Sequence, residues 1–136
     1  MIDRNLGRYS DRAYALLRFV CGALFALHGL RKFGFLDGEP ARVFSQLWFG
    51  GAIELGAGVL MAVGLFVRPA ALLASGTMAV AYVQFHWKGQ FGQAFWPFIN
   101  KGELTLVYCL VFLFIAAHGA RAYSFDKLRS RRFALR

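Results

Sequence analysis

Residues 48–69 read WFGGAIELGAGVLMAVGLFVRP. From Trp48 to Phe66 the run is apolar except for one carboxylate, Glu54, and it closes with Val67-Arg68-Pro69 before apolar residues resume. Crossing about 30 Å of hydrocarbon takes roughly 17–25 helical residues, which this run nearly supplies. Proline suits the first turn of a helix, so Pro69 opens a new helix almost where the previous one ends. Two helices joined by so short a turn are antiparallel neighbours.

Working outward, three more runs have the same character, and the four together span approximately 13–30, 48–66, 70–87 and 104–120. None alternates in the manner of a membrane barrel strand. Helices satisfy their own backbone hydrogen bonds in lipid. The expected fold class is therefore all-α, an integral membrane four-helix bundle. Composition agrees: 58% of the chain is hydrophobic and the mean hydropathy is +0.48, against roughly 45–50% apolar in ordinary soluble domains. Its 136 residues suit one domain, so 1–136 is read as a single transmembrane unit. The first run has an Arg-rich start like a signal peptide, but it lacks a clean cleavage site and is followed by three similar runs. It is read as a retained helix.

The net charge of +9 is concentrated at the ends. Arg4, Arg8 and Arg12 precede helix 1, and Arg121, Lys127, Arg129, Arg131, Arg132 and Arg136 follow helix 4. Cations flanking membrane helices point to anionic lipid headgroups as partners, and nucleic acid is not expected. With Arg68, the side carrying the termini holds ten cations; the other side holds five, Arg31, Lys32, Arg42, Lys88 and Lys101. The positive-inside rule then puts both termini in the cytoplasm, making this a multi-pass protein of a bacterial-type cytoplasmic (inner) membrane. Trp48, Trp87 and Trp96 fall at the outer helix ends, where aromatic anchors belong. Pro40 to Trp48 could form a short interfacial helix. Rows of small residues (Gly22 and Ala26; Ala52 and Gly56; Gly58 and Ala62; Ala71, Ser75 and Ala79) are expected to be packing seams.

Charges also gather at the outer ends of the helices. Helix 1 leaves the membrane at His28, Arg31 and Lys32, helix 3 at Gln84 and His86, while Glu54 and Glu103 enter on helices 2 and 4. Glu54 is six residues beyond Trp48, about 9 Å deeper at 1.5 Å per residue. A carboxylate at that depth is costly unless paired, protonated or facing a wet cavity. Arg31, Lys32, His28 and His86 are its candidate partners. Such a cluster is either a set of ion pairs that fixes helix packing or a site, and the depth of Glu54 and His86 favours the site. Arg18, on the inner half of helix 1, is expected to reach back to the cytoplasmic headgroups as an anchor.

Several chemistries are missing. Cys21 and Cys109 form no C-x-x-C pair, and His28, His86 and His118 are too few and too scattered for haem. No glycine-rich nucleotide loop follows a strand. No metal site and no catalytic residue are assigned, and any bound cofactor is expected to be lipid-soluble.

The residues His28-Gly29-Leu-Arg-Lys32-Phe33, Gly51-Ala-Ile-Glu54-Leu-Gly-Ala-Gly58, Gly64-Leu-Phe-Val-Arg68-Pro69-Ala-Ala, His86, Gly102-Glu103 and Gly119 with Ser124-Phe125-Asp126 occur in an order and spacing that resemble the DoxX family of small four-helix membrane proteins. The likeness covers roughly residues 15–128. It implies a cytoplasmic-membrane location and, in some members, association with quinone-linked oxidation of sulfur compounds or with oxidative-stress complexes. The expected function is thus a component of such a system that binds a lipid-soluble carrier, a quinone, near the outer leaflet. Glu54, His86, His28, Arg31, Lys32, Glu103, Gln84 and Trp96 are the expected binding residues. If enzymatic, the chain would be a quinone-linked oxidoreductase subunit. The alternative is a non-catalytic scaffold, subunit or assembly factor that holds a redox partner protein or a second copy of itself, with the basic segment Lys127-Leu-Arg-Ser-Arg-Arg as a docking tail.

Overall fold

The computed structural model describes residues 7–121 and 123–128. The cations Arg4, Arg129, Arg131, Arg132 and Arg136, and with them most of the proposed docking tail, lie outside the described residues. Among those described there are helices and turns and no strand. The helices are α1 (Ser10–Lys32), α2 (Gln46–Val63), α3 (Val67–Ala81) and α4 (Glu103–His118). A π-helical segment, Tyr82–Trp87, continues α3, and a single 3-10 turn, Gln93–Phe95, interrupts the loop that follows. The all-α expectation holds. By length and apolarity α1 and α2 could each span a membrane, whereas α4 is apolar but shorter.

The quoted stretch folds much as its residues dictate. Gly64 ends α2 in the left-handed region (φ 79°), with Gly64 N–H donating to Met61 O at 3.2 Å and Leu65 N–H to Leu60 O at 2.9 Å. Glycine adopts this conformation without steric cost. A side chain there would also collide with Ser124, whose Cβ lies 2.7 Å from the point a Cβ would occupy. The turn is thus Gly64–Phe66 and α3 begins at Val67, slightly earlier than expected, with Pro69 inside its first turn. Phe66 (φ 48°) provides no side-chain cap; the Asp126 carboxylate does so instead, accepting Phe66 N–H at 3.1 Å and Val67 N–H at 3.2 Å. No interfacial helix forms at Pro40–Ser45. Phe44 adopts φ 61° there, and Ser45 then caps α2 by accepting from Trp48 N–H.

Glycines set the closest helix pair. A methyl on Gly58 would stand 2.5 Å from Ala26 N and 2.6 Å from Gly22 O, and one on Gly29 would stand 2.5 Å from Leu55 N. The backbones of α1 and α2 therefore touch directly, which only small residues permit. The second pair, α3 and α4, closes over fully buried Ala71 and Ala74, with Ser75 Oγ donating to Cys109 O at 2.8 Å. Between α1 and α4 the contact is aromatic: Phe25 and Phe112 rings are 4.6 Å apart and Tyr108 stacks on Phe112. Two expected seams differ. Ala52 and Gly56 face outward, with nothing within 4 Å of a Cβ on Gly56, and Ala79 is exposed.

Hydrogen bonds show which helix ends meet. Tyr14 OH donates to Gly119 O at 2.6 Å, and Arg68 Nη1 donates to Ala116 O at 3.1 Å and Ala117 O at 2.9 Å. The start of α1 and of α3 therefore lie beside the end of α4, in up-and-down order. Here Arg18 corrects its expectation. It does not reach outward as an anchor but is buried, 2% exposed, with Nη2 donating to Tyr123 O at 2.7 Å. Together Tyr14, Arg18 and Arg68 satisfy carbonyls at the end of α4 and in the segment that follows it.

Candidate functional site

At the opposite end, the close approach of α1 and α2 brings Lys32 to Glu54. Gly51 faces the Lys32 stem, which comes within 3.0 Å of where a Cβ on Gly51 would be, so the aliphatic chain lies flat on α2 and carries its ammonium one turn further along. Lys32 Nζ donates to Glu54 Oε1 at 2.6 Å. Glu54 is 3% exposed, and its second oxygen, Oε2, is buried without a hydrogen-bond partner among the described residues. Buried polar atoms are nearly always satisfied. An orphaned carboxylate oxygen is therefore the feature of this end that most needs a ligand, a water or a proton.

Glu54 forms part of the wall of two cavities. The central one, about 280 Å³, opens at this end of the bundle and is lined by residues of all four helices, among them Phe25, His28, Lys32, Glu54, His86 and Tyr108. The second, about 670 Å³, is an apolar groove along the outer face of α2 and α3. Lys32, Leu47, Glu54, Ala81 and Phe85 border both.

His86 reaches the cavity from the π-helical segment, a distortion that often marks functional positions. Its Nδ1 lies 3.2 Å from Asn100 O and its Nε2 3.1 Å from Thr105 Oγ1. A carbonyl can only accept, so Nδ1 carries the hydrogen, while the threonine hydroxyl can either donate to Nε2 or accept from it. Both nitrogens are thus engaged by the loop and α4. Asn100 is itself held by Ala94 O, Tyr82 OH and Gly102 N–H. Gly102 must be small, because a Cβ would meet the Tyr82 ring at 2.6 Å. His28, by contrast, is exposed and meets only the edge of Tyr108, at 6.2 Å between centroids.

Of the eight residues expected at the site, Glu54, Lys32, His28 and His86 line one cavity. Gln84 is exposed and bonds to Gln46, clasping the ends of α2 and α3 rather than lining the central cavity. Arg31 and Glu103 are exposed and pair with no described residue, and Trp96 lies on the loop against Phe95 and Phe98, outside both cavities. The sequence reading missed Thr105, Tyr108 and Asn100. A threonine and a tyrosine one turn apart in an otherwise apolar helix are the signal that could have found the first two. Among the described residues no group of three His, Cys, Asp or Glu side chains could hold a metal, and Cys21 and Cys109 are free.

Comparison with known proteins matches the DoxX family over residues 13–87. A Haemophilus influenzae protein named "Uncharacterized protein" is 39% identical over 127 residues, covering 90% of this chain and 94% of its own length. A Bacillus subtilis protein named "Putative oxidoreductase CatD" is 29% identical over 118 residues, covering 82% of each. No solved structure matches the chain.

Proposed function

The chain belongs to the DoxX family, and from that premise we propose that it is a four-crossing protein of a bacterial-type cytoplasmic membrane, with both termini cytoplasmic, serving as a component of a quinone-linked redox or oxidative-stress system. Its central cavity takes the head group of the lipid-soluble carrier near the outer leaflet. The family is membrane-associated, and the outward surface of the helices supports the crossing: Leu16 and Leu110 are each 64% exposed and Leu72 60%, while the buried set includes Arg18 and Glu54. Water-facing helices carry the reverse pattern.

The observation that carries the reading is Glu54, held on one oxygen by Lys32 and without a partner among the described residues on the other, in the wall of a cavity where aliphatic and aromatic side chains surround a few polar groups. Small-molecule sites are apolar recesses of about 300–1,000 Å³ with a few convergent polar groups, and the two adjoining cavities fit that description. A bound quinone would supply two-electron, two-proton redox chemistry. Lys32 would donate to a ring oxygen, Glu54 would hold or release a proton at Oε2, and His28, whose ring bonds to no described residue, would exchange protons with the outer surface. His86 is assigned a positioning part, tying the 88–102 loop to α4 through Asn100 and Thr105.

A fluorescent or spectroscopic titration of the purified protein with a benzoquinone tests this. Glu54→Gln and Lys32→Met are each expected to weaken binding about tenfold, the loss of one charge-assisted hydrogen bond. Equal binding by wild type and both variants removes the site.

A second reading, a non-catalytic scaffold or assembly factor, is favoured by one observation. Arg18, Arg68, Asp126, Tyr14 and His86 are all engaged in holding helix ends and loops. Copurification of a stoichiometric soluble redox protein with a quinone-free chain would select it.

A further inference from the structure

A carrier dissolved in the bilayer has to reach the central cavity between two helices, and the four seams are closed in different ways. The backbones of α1 and α2 touch through Gly22, Gly29 and Gly58. Ser75 Oγ bonds to Cys109 O across α3 and α4, over buried Ala71 and Ala74. Phe25, Tyr108 and Phe112 fill the middle of the space between α1 and α4, and beyond them the cavity lining includes exposed His28 and Leu104. The α2–α3 seam differs. Its helices are tied at one end by the Gly64–Phe66 turn, and at the other the direct hydrogen bond between them, among the described residues, is the exposed side-chain clasp Gln46–Gln84. Between these ties runs the 670 Å³ groove, which meets the central cavity along Leu47, Ala81 and Phe85 beside the Lys32–Glu54 pair.

We infer that this seam is the lateral entrance of the site and that its groove holds the apolar tail of the carrier: the ligand is a small hydrogen-bonding ring bearing a long linear chain, isoprenoid or alkyl. The groove extends from Pro69 to Phe85 along α3, roughly 24 Å of helix at 1.5 Å per residue. Its floor includes Gly76, where nothing lies within 4 Å of an added Cβ, so the glycine keeps the channel open rather than relieving a contact with a neighbouring helix. Within lipid, a tail gains little hydrophobic energy by entering a protein groove. The groove therefore acts by accommodation: a head group in the central cavity has its attached chain led out between α2 and α3, and a chain with no way out excludes the head group. The inference rests on the carrier reading above and adds the tail subsite and the route.

The test uses the full chain in lipid nanodiscs, titrated with a benzoquinone carrying a decyl chain and with the same ring carrying a methyl group instead. Gly76→Phe fills the groove from a helical position with open space, and Val80→Trp fills it from an exposed groove position. Leu110→Phe, on an exposed face of α4 outside both cavities, is the control. Forcing a chain past a filled groove is an overpacking cost, so each groove variant is expected to lose about tenfold or more in affinity for the decyl compound. Affinity for the methyl compound should stay within about twofold, as should both affinities of the control. Unchanged decyl binding in the groove variants, or equal losses for both compounds, overturns the tail subsite while leaving the head-group site standing. Failure of the wild type to bind either compound overturns both.

Discussion

Replacing Lys32 by methionine keeps the stem that lies along Gly51 and removes the charge. At 2.6 Å and an effective dielectric near 20, the gross attraction in the Lys32–Glu54 pair is roughly 6 kcal/mol. Desolvation offsets most of it, several kcal/mol for a buried ion, and the Lys32 side chain is 31% exposed, so water screens its half of the pair. What remains after the substitution is a buried carboxylate with neither oxygen satisfied. Loss of one partner of a fully buried pair costs about 3–5 kcal/mol; discounted for the exposure of Lys32, about 2 kcal/mol is expected for Lys32→Met. Glu54→Gln, which leaves a neutral amide beside the ammonium, should cost about 1 kcal/mol. The double variant should cost clearly less than the sum, giving a coupling of about 1–2 kcal/mol. Equilibrium unfolding in mixed SDS micelles, followed by tryptophan fluorescence, supplies the four stabilities. Arg31→Met, at an exposed neighbour that pairs with no described residue, should change stability by less than about 0.5 kcal/mol. Additivity of Lys32→Met and Glu54→Gln within about 0.5 kcal/mol, or a larger effect at Arg31, would refute the pairing and the site built on it.

Four further substitutions address the rest of the structure. Gly58→Ala places a methyl 2.5 Å from the Ala26 backbone nitrogen and should cost about 2–3 kcal/mol by forcing α1 and α2 apart; Gly56→Ala, with open space around it, should instead stabilise by about 0.5–1 kcal/mol through helix propensity, and the same unfolding assay ranks the two. Asp126→Ala removes the acceptor of Phe66 and Val67 N–H, a loss of about 1–2 kcal/mol, with faster hydrogen exchange at the Val67 amide as its local signature. Arg18→Lys retains the charge but not a guanidinium reaching both Ala120 O and Tyr123 O; it should cost about 1–3 kcal/mol, whereas a residue that merely anchored in headgroups would tolerate lysine with no measurable loss.

Much of this protein was legible from residue order alone. Four apolar runs of helical length, a proline just after a tight turn and the absence of alternation settled an all-helical chain. These are local properties, set by backbone hydrogen bonding and side-chain periodicity within one segment. The identity of Glu54 as the charge that needs a partner was equally legible, since depth along a helix follows from counting residues. Which cation would meet it was not. Arg31 and Lys32 are adjacent in sequence and equally charged, and the choice was made by Gly29, Gly51 and Gly58, which let two backbones approach until only the lysine faced α2. Arg18 was misread for a related reason: rotation of α1 turned it toward the segment after α4, whose carbonyls at Ala120 and Tyr123 lie more than a hundred residues away in sequence. The Ala52–Gly56 row shows the same limit, for a small-residue stripe reads alike whether it seals a seam or faces outward. Sequence specified the helices and the charges they carry. The tertiary structure decided which faces touch, because contact between helices depends on the shape of both partners and each segment records only its own.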